Sequence, residues 1–341
     1  MVASAPGRIF RRGVLALCFL SGISSLLYEV AWARMLHLLF GDTVLAVSTV
    51  LASFMAGLAL GSFWIGRFID RRRRVLAVYA GLEAGIGLSA LLFPVALQGL
   101  TPLYVWLHQS LSGSFWLVSL VRFLLAFGLL CVPTALMGAT LPVLSRYLVQ
   151  SSAALGWHVG TLYALNTGGA VLGCFAAGYV LIGSLGLTFT VWIGAALNLA
   201  IAVVVWVGRR WIEVPGVPTV PSTPPRDAAH AVVLYDARTV RRVLCSFALA
   251  GCAALSYEVI WTRALTFFVG NSTYAFSAML TTFLAGLAVG SALVARLSDR
   301  SPNLLAVLGA LQVSIGNLRG PDHRHPGARV LRSRRLVGRI Q

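Results

Sequence analysis

The sequence predicts an all-α, polytopic membrane protein, and three observations carry that reading. Hydrophobic residues make up 58% of the 341-residue chain, charged residues 11%, and the mean hydropathy is +0.84. A soluble domain carries about 25% charge, so a chain this apolar needs lipid around it. The apolar residues also fall in runs of about 20, the length that crosses a bilayer core of roughly 30 Å. Finally, the chain writes one helix pair twice. YEVAWAR (28–34), FMAGLALGS (54–62) and GRFIDRRRR (66–74) return as YEVIWTR (257–263), FLAGLAVGS (283–291) and ARLSDR (295–300). The copies align without a gap at an offset of about 229 residues, with about 25 identities over 58 positions starting from Val14 and Val243.

Taken in order, residues 1–12 are a basic tail with Arg8, Arg11 and Arg12. The apolar run 14–40 is too long for a signal-peptide core and contains no small-residue cleavage site, so it is read as a retained first helix. Further helices are predicted over 44–65, 75–97 (ending near Pro94), 116–141 (flanked by Pro133 and Pro142), 162–182 and 188–207. Together, residues 13–208 form a first six-helix half. Residues 209–242 contain WIEVPGVPTVPSTPP, whose closely spaced prolines block helix, and they are read as a cytoplasmic linker. Residues 243–316 open a second half with helices over 243–269 and 274–295 and a ninth beginning near Leu304. The architecture expected is therefore a six-helix repeat plus an incomplete second repeat, with eight to nine spans.

All 27 basic residues are arginine, and the net charge is +17. Such a charge can signal nucleic acid, but its placement argues against that. Arg67, Arg71 to Arg74, Arg146, Arg209, Arg210, Arg226, Arg238, Arg241, Arg242, Arg296 and Arg300 fall at alternate loops, and the intervening loops 41–43, 98–115, 183–187 and 270–272 contain no arginine. That is the positive-inside pattern, with the N-terminus cytoplasmic. The arginine-only usage is read as coding bias. The five cysteines lie in apolar runs without a CxxC pair and read as small buried hydrophobes. The six histidines show no HExxH spacing, so neither a metal nor a cofactor is expected.

Six helices before the repeat returns is a layout that resembles the major facilitator transporters, with two six-helix halves in parallel orientation. Gly66, Arg67, Asp70, Arg71 and Arg73 stand in the pattern of that superfamily's signature gating loop, and Arg296, Asp299 and Arg300 repeat it. PTALMGATLPVLSRY (133–147), GTLYALNTGGAVLGCFAAGYVLIGSLG (160–186) and the YEVxWxR repeats are similar to the bacterial fused MFS/spermidine synthase family. This resemblance covers about residues 14–316. It implies a major-facilitator-like membrane part that is normally joined to a C-terminal aminopropyltransferase-like domain, placed in the bacterial cytoplasmic membrane. It also implies the lipid bilayer and a spermidine synthase-like domain or protein as partners, and a role as anchor or polyamine-related transport module.

The enzyme of that family needs a glycine-rich strand-to-helix turn, and this chain shows none. NTGGAVLG (166–173) lies inside an apolar run, and its Gly169/Gly173 pair has the GxxxG spacing of close helix packing. The repeat itself continues to Gly316 and then breaks. Residues 317–341 carry seven arginines, two histidines and two prolines without periodicity. They are read as frameshifted or non-native, against the alternative of a basic tail lying on the membrane surface. A non-functional fragment is therefore a third reading beside anchor and transporter.

Ionisable groups inside spans are costly and are functional candidates by default. Glu29 and Glu258 are equivalent positions in the repeat, flanked by Tyr28, Trp32, Tyr257 and Trp261, with Arg34 and Arg263 five residues later. Glu83 lies in the third helix, where the second copy has Gln312, and Arg122 lies in the fourth. On one reading the two carboxylates line a central cavity and take a cation or exchange protons. On the other each pairs with an arginine from another helix, Glu83 with Arg122 among them, and locks the halves together. A spacing of five does not place Glu29 and Arg34 on one helix face.

Overall fold

The computed structural model of the chain describes residues 5–41, 44–69, 74–111, 113–148, 155–211, 236–270, 272–298 and 304–317. Within them the elements are α1 (Ala5–Phe40), α2 (Val44–Ile69), α3 (Val75–Ser110), α4 (Phe115–Leu148), α5 (Leu155–Phe175), α6 (Ile182–Gly208), α7 (Ala237–Val269), α8 (Ser272–Ser298) and α9 (Leu304–Asn317). A π-helical segment, Ala176–Leu181, joins α5 to α6, and a 3₁₀ turn, Arg209–Trp211, follows α6. The chain divides into one unit over 1–296 and another over 297–341, and α9 belongs to the second.

Among the described residues, seven helical segments are long and apolar enough to cross a membrane. One of them, His158–Gly208, has 51 residues and would be about 75 Å long as a single rod, more than twice a bilayer core. Gly186, with φ 83°, breaks it, so this stretch supplies two of the expected spans. The protein is a multi-pass helical membrane protein.

Several ends lie outside the predicted bounds. The basic tail is helical from Ala5, so α1 projects beyond the apolar run. The expected loop 98–115 is helical as far as Ser110, with Pro94 and Pro102 inside α3. Likewise α4 runs through Pro133 and Pro142 to Leu148. Proline removes one donor, but membrane helices tolerate it because neighbouring groups re-satisfy the backbone. The last residues of the expected linker, from Ala237, form the first turns of α7. Residues 212–235 of the linker and 318–341 of the tail fall outside the described residues, as do Asp70, Arg71, Arg73, Asp299 and Arg300 of the loop signature. Gly66 and Arg67 end α2, where Arg67 lies over the Phe63 ring.

Close packing of small residues sets the helix neighbours. α1 lies along α5: a Cβ on Gly169 or Gly173 would come within 2.0 or 2.2 Å of the Phe19 or Ile23 carbonyl oxygen. The GxxxG pair in α5 is thus a packing surface, since only glycine allows two helix backbones to meet so closely. α2 lies along α4 in the same manner, through Gly57 against Thr134, Gly61 against Ala135 and Gly138 against Leu58. α3 packs against α4 and α6, and α1 also touches α6. α1 is therefore the central helix, with Leu27, Tyr28, Ala31, Trp32 and Leu36 all fully buried.

The repeated helix pair also repeats its turn. Gly41 ends α1 with φ 87° and Gly270 ends α7 with φ 72°. Each N–H donates to the carbonyl four residues back, His37 and Thr266, at 2.9 Å. The two glycines are equivalent at the offset of about 229, and left-handed backbone is what favours glycine there.

Candidate functional site

Two groups of buried polar side chains meet on α1. The first is a closed hydrogen-bond clasp around Glu83. Ser21 Oγ donates to Glu83 Oε1 at 2.7 Å, Asn198 Nδ2 donates a short bond to Glu83 Oε2, and Tyr28 Oη donates to Asn198 Oδ1 at 2.8 Å. All four residues are buried, and they tie α1, α3 and α6 together. Gly194 makes room for the tyrosine, since a Cβ there would lie 2.7 Å from Tyr28 Cε1. Both carboxylate oxygens of Glu83 have donors, as a buried polar group requires.

The clasp corrects one expected ion pair. Arg122 does not reach Glu83; its Nε donates to Tyr104 Oη at 3.1 Å. Tyr104 lies 21 residues beyond Glu83 on α3, roughly 30 Å along the helix axis. Glu83 and Arg122 therefore sit near opposite ends of the bundle. Tyr28 also turns out to be a member of the Glu83 network.

The second group surrounds Glu29 and Glu258. Both are buried, with 7% and 5% of their surface exposed, and they are close enough to interact electrostatically. Oε1 of each has no hydrogen-bond partner. Arg34 does not pair with Glu29 here: its Nη1 donates to Ser272 Oγ on α8 at 3.0 Å. Of the residues of α7, only Glu258 and Thr262 are fully buried, with Leu265 partly buried against the core.

Glu29 also lines a small cavity together with Trp32, Ala33, His37, Val47, Val50, Leu51, Phe54, Leu130 and Phe276. Its volume is about 20 Å³, room for a single water molecule. The two groups touch through aromatic rings. Tyr28 stacks on Trp32 with centroids 4.9 Å apart, and Trp32 stacks on Phe93 at 4.5 Å.

The second copy's aromatic residues behave differently. Tyr257 and Trp261 stack on one another at 5.5 Å but are 52% and 49% exposed. Arg263 is half-buried. Two of the five cysteines, Cys245 and Cys252, are exposed on α7 where burial was expected, while Cys18 and Cys174 are buried. No group of three or more His, Cys, Asp or Glu side chains gathers among the described residues.

Reading the sequence alone missed Ser21 and Asn198, and also Thr262, Ser277 and Thr281 near the second carboxylate. A signal was present for the threonines. At the repeat offset, Thr262 and Thr281 stand where the first copy has Ala33 and Ala52.

No protein-family model, curated protein or solved structure matches the chain.

Proposed function

We propose that this multi-pass protein is a carrier-type membrane module in which the Glu29–Glu258 pair binds a small cation or proton where the two copies of the repeat meet. The observation that carries this reading is the approach of two equivalent, buried carboxylates whose Oε1 atoms lack partners. Ionisable groups inside a membrane bundle mark ion pathways and relays, and the meeting of repeats is where transporter sites lie. In this reading the arginine-rich helix ends face the cytoplasm of a bacterial inner membrane, N-terminus included.

The cavity beside Glu29, at about 20 Å³, suits a water-sized occupant and is too small for a diamine. A second reading rests on the YEVxWxR repeats and residues 133–186: the module anchors a spermidine synthase-like domain or protein, which would supply any aminopropyl transfer.

The carrier reading is tested in proteoliposomes bearing the full chain and a cation- or proton-sensitive dye. The chain should dissipate an imposed gradient faster than empty vesicles. Glu29→Gln and Glu258→Gln should each abolish that flux at normal membrane abundance. Absence of flux from the unaltered chain overturns the carrier reading, and so does loss of both variants from the membrane, which would mark the carboxylates as structural.

A further inference from the structure

Five buried side-chain oxygens without hydrogen-bond partners belong to residues of one junction: Glu29 Oε1 on α1, Glu258 Oε1 and Thr262 Oγ1 on α7, and Ser277 Oγ and Thr281 Oγ1 on α8. Glu29, Glu258, Thr262 and Ser277 are each more than nine-tenths buried. Cys174, at the end of α5, relates four of these residues to one another, and Thr262 follows Glu258 by one turn of α7. The Cys174 thiol approaches the Ser277 carbonyl at 3.6 Å, lies beside Thr281 and is within electrostatic reach of both Glu29 and Glu258. The π-helical segment begins two residues later and brings Gly178 against Ser277, where a Cβ would lie 2.1 Å from Oγ. Single π turns inside α-helices recur at functional sites.

A buried oxygen without a partner is a rare state in a folded protein, and five on α1, α7 and α8 call for an explanation. Two are carboxylate oxygens, and Arg34 on the neighbouring turn of α1 is committed to Ser272. The five atoms are all oxygens, while the ring nitrogens of Trp32 and His37 belong to the cavity beside Glu29. Oxygen-only sites suit hard cations. Calcium takes six to eight oxygens, and magnesium retains several waters. The junction presents five partnerless oxygens, and the cavity adjoining Glu29 has room for one water.

Departures from the repeat reinforce the point. The second copy keeps Glu258 and Ser277, which match Glu29 and Ser48. It also adds hydroxyls at Thr262 and Thr281, where the first copy has the methyl groups of Ala33 and Ala52. We infer that Glu29, Glu258, Thr262, Ser277 and Thr281 form a binding site for one small monovalent hard cation, with sodium as its natural size. This deepens the carrier reading above and rests on it for the ion's use in transport, though not for its binding.

The test is equilibrium binding of radioactive sodium to the purified full chain in detergent, with thermal unfolding in sodium chloride against choline chloride at equal ionic strength. One sodium per chain should bind saturably, and sodium should raise the unfolding temperature by a few degrees. Thr262→Ala with Thr281→Ala, the residues of the first copy, should fold normally and weaken sodium binding at least tenfold. Thr262→Val, which keeps the shape and removes the oxygen, should weaken it in the same direction.

Equal responses to sodium and choline overturn the inference, as does tighter binding of calcium than of sodium. So does unchanged sodium affinity in the threonine variants. If sodium fails to bind while Glu29→Gln still abolishes flux in vesicles, the ion assignment falls and the carrier reading stands. If sodium binds with these dependences and the vesicles show no flux, the site stands and the carrier reading falls.

Discussion

The two copies of YEVxWxR carry the same side chains and place them in different surroundings. In the first, Tyr28 and Trp32 are fully buried at the centre of the bundle, and Gly57 and Gly61 press on α4. In the second, Tyr257 and Trp261 are half exposed, and nothing lies within 4 Å of where a Cβ on Gly286 or Gly290 would stand. The carboxylate differs from its motif neighbours, because Glu29 and Glu258 are buried alike. Identity of sequence therefore fixes what a motif can do, while its neighbours decide which parts act. The aromatic positions serve packing in one copy only. The carboxylate is buried in both.

The contrast can be broken first at the tryptophans. Trp32→Ala empties the stack between Tyr28 and Phe93 and should cost about 3–5 kcal/mol. That loss would be read as reduced membrane abundance and a lower unfolding temperature in detergent. Trp261→Ala should change either by less than about 1 kcal/mol, as a half-exposed site does. Equal losses would show that the two copies are packed alike.

The glycines give a smaller effect of the same form. A Cβ at Gly61 would stand 1.8 Å from the Ala135 carbonyl oxygen, so Gly61→Ala must push α2 from α4, at about 1–3 kcal/mol. Gly290→Ala meets open space and should be neutral or slightly stabilising, since alanine favours helix. Chemical denaturation of the two variants side by side distinguishes them.

Much of this was legible in the sequence. The spans were readable because each is a run of about 20 apolar residues, and the packing of Gly169 and Gly173 because GxxxG spacing has one geometric meaning in a membrane. The extent of α3 and α4 was not readable. Pro94, Pro102, Pro133 and Pro142 mark helix ends in water, but inside a bundle they do not. The partners of Glu83 were not readable either. Ser21 and Asn198 are small polar residues in apolar runs, 62 and 115 positions away, and only knowledge of which helices touch would join them. Arg122 was the obvious counter-charge and lies at the wrong end of the bundle.

Glu83 gives the smallest of the contrasts. Hydrogen bonds between membrane helices are worth about 0.6 kcal/mol on average, so Glu83→Ala, which removes two, should destabilise by about 1 kcal/mol. Glu83→Gln should cost less, because Asn198 can turn its amide and Tyr28 Oη can accept as well as donate. Gln312, the exposed equivalent on α9, should tolerate alanine without measurable change. Equal unfolding temperatures for Glu83→Ala and the unaltered chain would dismiss the clasp as a contributor.

The central claim is that Glu29 and Glu258 face one another across the two copies, and cross-linking tests it most directly. In a chain whose five cysteines have been replaced, Glu29→Cys with Glu258→Cys should form an intramolecular disulfide, or bridge a thiophilic metal ion, in native membranes. Tyr28→Cys with Tyr257→Cys, one position earlier in each copy, should not, because Tyr28 points to Asn198 while Tyr257 is exposed. Efficient linkage of the glutamate positions alone is the predicted result. No linkage there, or equal linkage in both pairs, would contradict it.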